Sequence, residues 1–139
     1  MNELKISISN LQKKIPICRP RIKKSILKTF RNEGVKKGEI TVSFVNDRVI
    51  SGLNLKYLNE PKPTDVLAFN LTDDKKALIG DIIISAETAK RNSRIYKTTL
   101  AYELNLYSVH GCLHLLGYDD NNQKNSKIMR KKESKYANS

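Results

Sequence analysis

The chain has 139 residues, enough for one buried core and too few for two, so residues 1–139 are expected to form a single domain. Hydrophobic residues make up 39%, aromatics 6%, and Trp is absent, which excludes a disordered chain and leaves the core to aliphatic side chains. Lys and Arg number 26 against 14 Asp and Glu, a formal net charge of +12 that disfavours cationic partners and favours a polyanion.

Leu4, Ile6 and Ile8 alternate with polar residues, which predicts a first strand over 3–9. Pro20 suits the first turn of a helix over about 20–33, whose apolar positions Ile22, Ile26, Leu27 and Phe30 recur at helical spacing; Gly34 and Gly38 follow it. Ile40, Val42 and Phe44 alternate again, giving a strand over about 39–45. Asn46 or Asp47 can cap a helix over about 47–58, with Val49, Ile50, Leu53 and Tyr57 expected inward and Pro61 and Pro63 breaking it. Val66 to Phe69 reads as a short strand, 71–77 as a polar loop, and Ile79 to Ile84 as a strand buried on both faces. After Ser85 the pattern turns helical. Residues 98–116 are apolar nearly all round and should form a central helix, and a basic helix is expected over about 123–136. The order predicts an α+β fold: a small mixed sheet of about four strands covered by helices.

No run approaches the roughly 18 apolar residues of a membrane span, and MNELKISISN lacks the apolar stretch of a signal peptide. Cys18 and Cys112 do not suggest a disulfide framework, so a reducing cytoplasm is the expected compartment and no membrane partner is expected.

The string HGCLHLLGYDD at 110–120 carries the chemistry. His110 and His114, the chain's two histidines, are four apart and so share one helix face, where two imidazoles can bind one divalent metal. Gly117 can end the helix in the left-handed conformation and turn the chain back, bringing Asp120 to the same ion; Asp119 could compete with it. The spacing matches H-E-x-x-H-x-x-G-x-x-H at every metal position, with Asp in third place. Gly111 replaces the Glu that serves a metalloprotease as general base, which argues against peptide hydrolysis. Three protein ligands leave an open position, the mark of a catalytic site, where metal-bound water is the candidate nucleophile. On a basic chain that suggests hydrolysis of a nucleic-acid phosphodiester.

HGCLHLLGYDD resembles the signature H-G-x-L-H-L-x-G-Y-D-H of the YbeY family of rRNA-maturation endoribonucleases. LNLKYLNEPKPTDVLAF at 53–69, IGDIIIS at 79–85, and Met129 and Glu133 match further family segments, so the resemblance spans about residues 40–136. It implies a mixed sheet covered by helices, with the metal at the end of the histidine helix. It also implies a single-strand-specific, metal-dependent endoribonuclease that acts in 16S ribosomal RNA 3′-end maturation and ribosome quality control, with one divalent metal, zinc as the usual choice. RNA and the ribosome are the implied partners, and a monomer or weak homo-oligomer is expected. Two positions depart from the family. Asp120 stands where the family usually has His; a carboxylate is harder and charged, which is expected to make bound water less acidic and to widen metal choice. Leu58 stands where the family usually has an Arg that meets the RNA; Arg48 and Arg91 are conceivable substitutes.

Residues 11–37 hold ten Lys or Arg and one Glu, and residues 121–139 hold six and one, so the rest of the chain is slightly acidic. This asymmetry predicts a directed basic surface, with Lys23, Lys24, Lys28 and Arg31 as candidate RNA contacts. Phe30 and Tyr136 are the nearby aromatics, too few for base stacking, so phosphate contact is expected. Asp81 inside an apolar strand needs a partner: it either lines the cleft or orients a ligand histidine, or it bonds backbone at the strand's end. Glu103 and Tyr107 share the face of His110 and either line the site or serve helix packing, while Cys112 should be a small core residue. Leu58 motivates one alternative, a noncatalytic RNA- or ribosome-binding protein that keeps the metal site.

Overall fold

The computed structural model describes residues 3–60, 64–72 and 77–137. Four strands form one sheet: β1 (Leu4–Asn10), β2 (Gly38–Val45), β3 (Val66–Asn70) and β4 (Leu78–Ser85), in the order β1-β2-β4-β3. β1, β2 and β4 run parallel and β3 pairs antiparallel with β4 at the edge, so the sheet is mixed. Five helices accompany it: α1 (Arg19–Asn32), α2 (Asp47–Leu58), α3 (Ala86–Ile95), α4 (Leu100–Leu115) and α5 (Gln123–Ala137). Pro61, Pro63 and residues 73–76 of the expected loop lie outside the described residues.

Local chemistry sets the helix starts. The Asn46 side chain accepts from the Val49 N–H at 2.9 Å, which decides the α2 cap in favour of Asn46 over Asp47. Ser85 caps α3 through the Thr88 N–H at 3.1 Å, and Thr99 caps α4 through the Tyr102 N–H at 3.0 Å. α1 lacks a side-chain cap and relies on Pro20 in its first turn.

Strand alternation divides the sheet into two faces. Ile6, Ile40, Val42, Phe44, Ile82 and Ile84 are buried with Ile22, Ile26 and Phe30 of α1, Ala86 and Ala89 of α3, and Leu104 and Cys112 of α4. Val45, Leu67, Phe69 and Ile83 point the other way and meet Ile50 and Leu53 of α2. Val49 and Tyr57, expected to face inward, are 43% and 56% exposed. One helix on a four-stranded face needs only the narrow stripe of Ile50, Leu53 and Asn54, and Tyr57 instead packs its ring edge-on to Phe69 at 5.4 Å. α4 is enclosed as its composition predicts, by the sheet and α1 on one side and by Met129 and Tyr136 of α5 against Val109 and Leu113 on another.

α5 is held by polar contacts as well. Glu33, the capping residue at the end of α1, accepts hydrogen bonds from Tyr118 Oη at 2.5 Å, from Lys132 Nζ at 3.0 Å and from Tyr136 Oη. Burial pushes the Glu33 carboxyl up, but those three donors outweigh it and hold it down at about 2, from the usual 4.5. A carboxylate depressed in the folded state contributes stability that is full above its unfolded pKa and is lost as pH falls through its folded one. Wild-type protein should therefore exceed Glu33→Gln in urea midpoint at neutral pH, and the gap should close as pH falls from about 4.5 towards 2. A gap that stays constant across that range would remove the carboxylate's charge from the account.

Candidate metal centre

His110 and His114 stand one turn apart on α4, with their Nε2 atoms 3.0 Å apart and ring centroids 4.6 Å apart. Asp120 joins them: one ligand atom from each of the three residues lies within 4.8 Å of the others. Bonds of about 2.0–2.1 Å to one small ion put ligand atoms roughly 3–3.5 Å from each other. The imidazoles already meet that spacing, and exposed Asp120 has room to close the remainder. Two imidazoles and a carboxylate form a borderline donor set that suits zinc and its first-row neighbours.

The backbone beyond α4 explains how Asp120 arrives. Gly117 adopts φ +94°, a conformation a side chain would strain. The Gly117 N–H donates to His114 O and the Tyr118 N–H to Leu113 O, both at 3.0 Å, the paired bonds of a Schellman helix end. The chain thereby reverses over the histidine face. Asp119 accepts from the Asp120 N–H at 2.7 Å, so its carboxylate is engaged in the turn and Asp120 supplies the third ligand atom of the group.

Glu133 of α5 places Oε1 3.3 Å from His110 Nδ1 and so leaves Nε2 directed at His114. Burial lowers the His110 pKa, but the hydrogen bond and charge of Glu133, with Asp65 and Asp120 behind it, raise it above the ordinary value. Burial and the neighbouring His110 hold His114 below its own. The two rings thus differ: a carboxylate makes His110 more basic, while burial and its neighbour make His114 less so.

Gly111 faces the sheet. A Cβ there would stand 2.6 Å from Ile82 Cγ2 and 3.2 Å from Val66 Cγ1. The position that bears the general base in a metalloprotease is here a packing contact with no room for a side chain.

The other candidates fall elsewhere. Asp81 pairs with Thr41 and Phe69 and points to the α2 face of the sheet, whereas its neighbours Gly80 and Ile82 meet α4; it neither lines the histidine face nor orients a ring. Glu103 is buried and accepts from Thr98 Oγ1 at 2.8 Å and from Tyr107 Oη at 3.3 Å, and Asn92 Nδ2 donates to Tyr107 Oη at 2.5 Å. This network joins α3 to α4 and serves packing. Cys112 is fully buried, and burial pushes its thiol up. Arg91 Nη1 donates to Asp47 Oδ2 at 2.6 Å, an engagement that competes with any role as substitute for the arginine missing at Leu58. Leu58 is 55% exposed at the end of α2, and Arg48 is exposed in its first turn. Lys23, Lys24 and Arg31 are exposed on α1 and Lys28 half-buried, and no described contact joins them to the histidines. What α1 sends towards the site is Glu33, through Tyr118. Sequence reasoning missed it because an isolated Glu before Gly34 carries no signal beyond being the one acid in a basic segment.

Comparisons with known proteins give the chain's relatives. The family model described as "Endoribonuclease YbeY" matches residues 7–139. Endoribonuclease YbeY of Carboxydothermus hydrogenoformans is 36% identical over 132 residues, covering 92% of each chain. That of Syntrophus aciditrophicus is 35% identical over 135 residues, covering 92% of this chain and 84% of its own. The solution structure of TM1509 from Thermotoga maritima superposes with a TM-score of 0.66 at 30% identity, over 95% of this chain and 86% of that one.

Two outcomes follow for metal titration by calorimetry. Asp120→Ala should weaken zinc binding far more than Asp119→Ala, and equal losses would unseat the ligand choice. Glu133→Gln should cost about 10–100-fold in affinity, the usual effect of removing a carboxylate behind a ligand histidine.

Proposed function

The chain belongs to the YbeY endoribonuclease family, and from that premise we propose that it is a metal-dependent endoribonuclease for single-stranded RNA. Its place is 16S ribosomal RNA 3′-end maturation and ribosome quality control, in the cytoplasm. The observation that carries this reading is the convergence of His110, His114 and Asp120, backed by Glu133, in a chain of net charge +12.

His110, His114 and Asp120 would hold one divalent ion, with zinc as the expected metal. Such an ion would act as a Lewis acid on a phosphoryl oxygen and lower the pKa of water beside it. Glu133 engages His110 at Nδ1 and leaves its Nε2 on the side of His114. Asp120, on an exposed turn, leaves the outer side of the group open to a substrate. The exposed cations of α1 (Lys23, Lys24, Arg31), with Lys28, would meet the RNA backbone, an interaction blind to sequence and weakened by salt. Phe30 and Tyr136 are buried, so these segments have no aromatic face to offer a base. That supports phosphate contact.

His114→Ala should abolish cleavage of a single-stranded RNA while its affinity, read by filter binding, stays near wild type. Cleavage that persists in the metal-free variant would end the proposal. Leu58 gives the second reading its one support, because an exposed leucine cannot pair with phosphate. Wild-type protein that binds RNA with a steep salt dependence, yet cleaves no faster than His114→Ala, would establish a binding protein instead. Cleavage gained by Leu58→Arg would then trace the loss to that position.

A further inference from the structure

The two outer parts of the metal centre come from different segments. Asp120 sits in the turn after α4, and Glu133 sits on α5. The turn is exposed at Asp119 and Asp120, and α5 packs on α4 through the seam of Met129, Tyr136 and Ala137 while presenting charged residues to solvent. Both segments are tied to a third element at one point. Tyr118, two residues before Asp120, donates to Glu33 Oε1 at 2.5 Å. Lys132, next to Glu133, donates to Glu33 Oε2 at 3.0 Å, and Tyr136, three residues beyond Glu133, donates to the same oxygen. Lys132 Nζ also lies 5.2 Å from the centre of the Tyr118 ring, so the turn and α5 touch each other at the same place. The Glu33 side chain is only 11% exposed. It caps α1, whose Ile26 and Phe30 are fully buried, so it is anchored to the core.

We propose that Glu33 is a positioning residue for the metal centre: its two carboxylate oxygens set the turn that carries Asp120 and the helix that carries Glu133 at fixed distances from the histidines. The inference rests on the reading of His110, His114 and Asp120 as metal ligands. One oxygen serves the ligand loop and the other serves the helix behind His110. Loss of the carboxylate would loosen the third ligand and the support of the first together. A residue that only stabilised the fold would instead leave the site intact in every folded molecule.

The test uses cobalt(II) added to metal-free full-length protein, read by calorimetry and by the visible absorption band of the bound ion, which reports ligand geometry. Measurements are made at a temperature where circular dichroism shows each protein fully folded. Glu33→Gln should bind cobalt about tenfold more weakly, the scale on which outer partners act, with an altered band. Tyr118→Phe, which removes one hydrogen bond, should show a smaller change of the same kind. Ile26→Val, a core truncation on the same helix, should lower the melting temperature and leave affinity and band as in wild type. Wild-type affinity and an unchanged band in both Glu33→Gln and Tyr118→Phe would reduce Glu33 to a stabilising contact. Should Glu33→Gln fail to fold, Tyr118→Phe decides by the same two readouts. Wild-type protein that takes up no cobalt would overturn the metal reading itself, and the positioning role with it.

Discussion

Helix α4 approaches the sheet so closely at Gly111 that a methyl group there would lie 2.6 Å from Ile82. Leu115 one turn on meets Gly80 with the same intimacy, since a Cβ on that glycine would stand 2.7 Å from Leu115 Cδ1. Two glycines, one on the helix and one on the strand, therefore let the backbones come together. Interiors tolerate little extra volume, so these contacts fix the rotation of α4 about its own axis. With Gly111, Cys112 and Leu115 directed into the core, His110 and His114 are left on the flank, close to Glu133. The residue types that pack the helix thus decide where the imidazoles point.

Electrostatics give the centre a reason to take up a cation. Between residues 38 and 120 the chain holds nine basic and eleven acidic residues, although the whole molecule is strongly positive. Asp65, Asp120 and Glu133 all act on His110 to raise its pKa, so the field at the ring is negative. A phosphodiester would be repelled by that field. A divalent ion held by His110, His114 and Asp120 would offset it, and of the three carboxylates only Asp120 belongs to that group. The surrounding basic helices would attract a polyanion at longer range, within a Debye length of about 8–10 Å at physiological salt. On the proposed function, a bound ion would reconcile long-range attraction with local repulsion.

Local patterns made much of this legible. Alternation located the strands, caps and glycines located the helix ends, and the i, i+4 histidines with Gly117 and Asp120 pointed to three side chains that do come together. Those features depend on neighbours a few residues apart. Other residues depend on facts that no short window contains. Asp81 has a cleft reading and a backbone-bonding reading from sequence, and its side follows from which face α4 covers, which is set by the order of β2, β4 and β3 in the sheet. Val49 and Tyr57 fit an inward pattern on α2, but the far face of the sheet is too sparsely covered to bury them. Arg91 is a conceivable substitute for the missing arginine, and its partner Asp47 lies 44 residues away. Glu33 is 85 residues from Tyr118 and 99 from Lys132.

α5 combines two tasks that usually belong to separate elements. Lys124, Lys127, Arg130, Lys131 and Lys135 face solvent, while Met129, Glu133 and Tyr136 face α4 or Glu33. A helix of this composition gains little from intrinsic propensity alone, and like charges along its outer face repel. Its position must come from the inward side, which consists of one apolar seam and the Glu33 hydrogen bonds. A polyanion laid along the outer face would relieve the repulsion and hold the helix more firmly against α4. Because the same helix carries Glu133, ordering its outer face would also steady His110. On the proposed function, contact with a polyanion and the orientation of His110 would be joined through this one helix, which Glu33 ties to the end of α1.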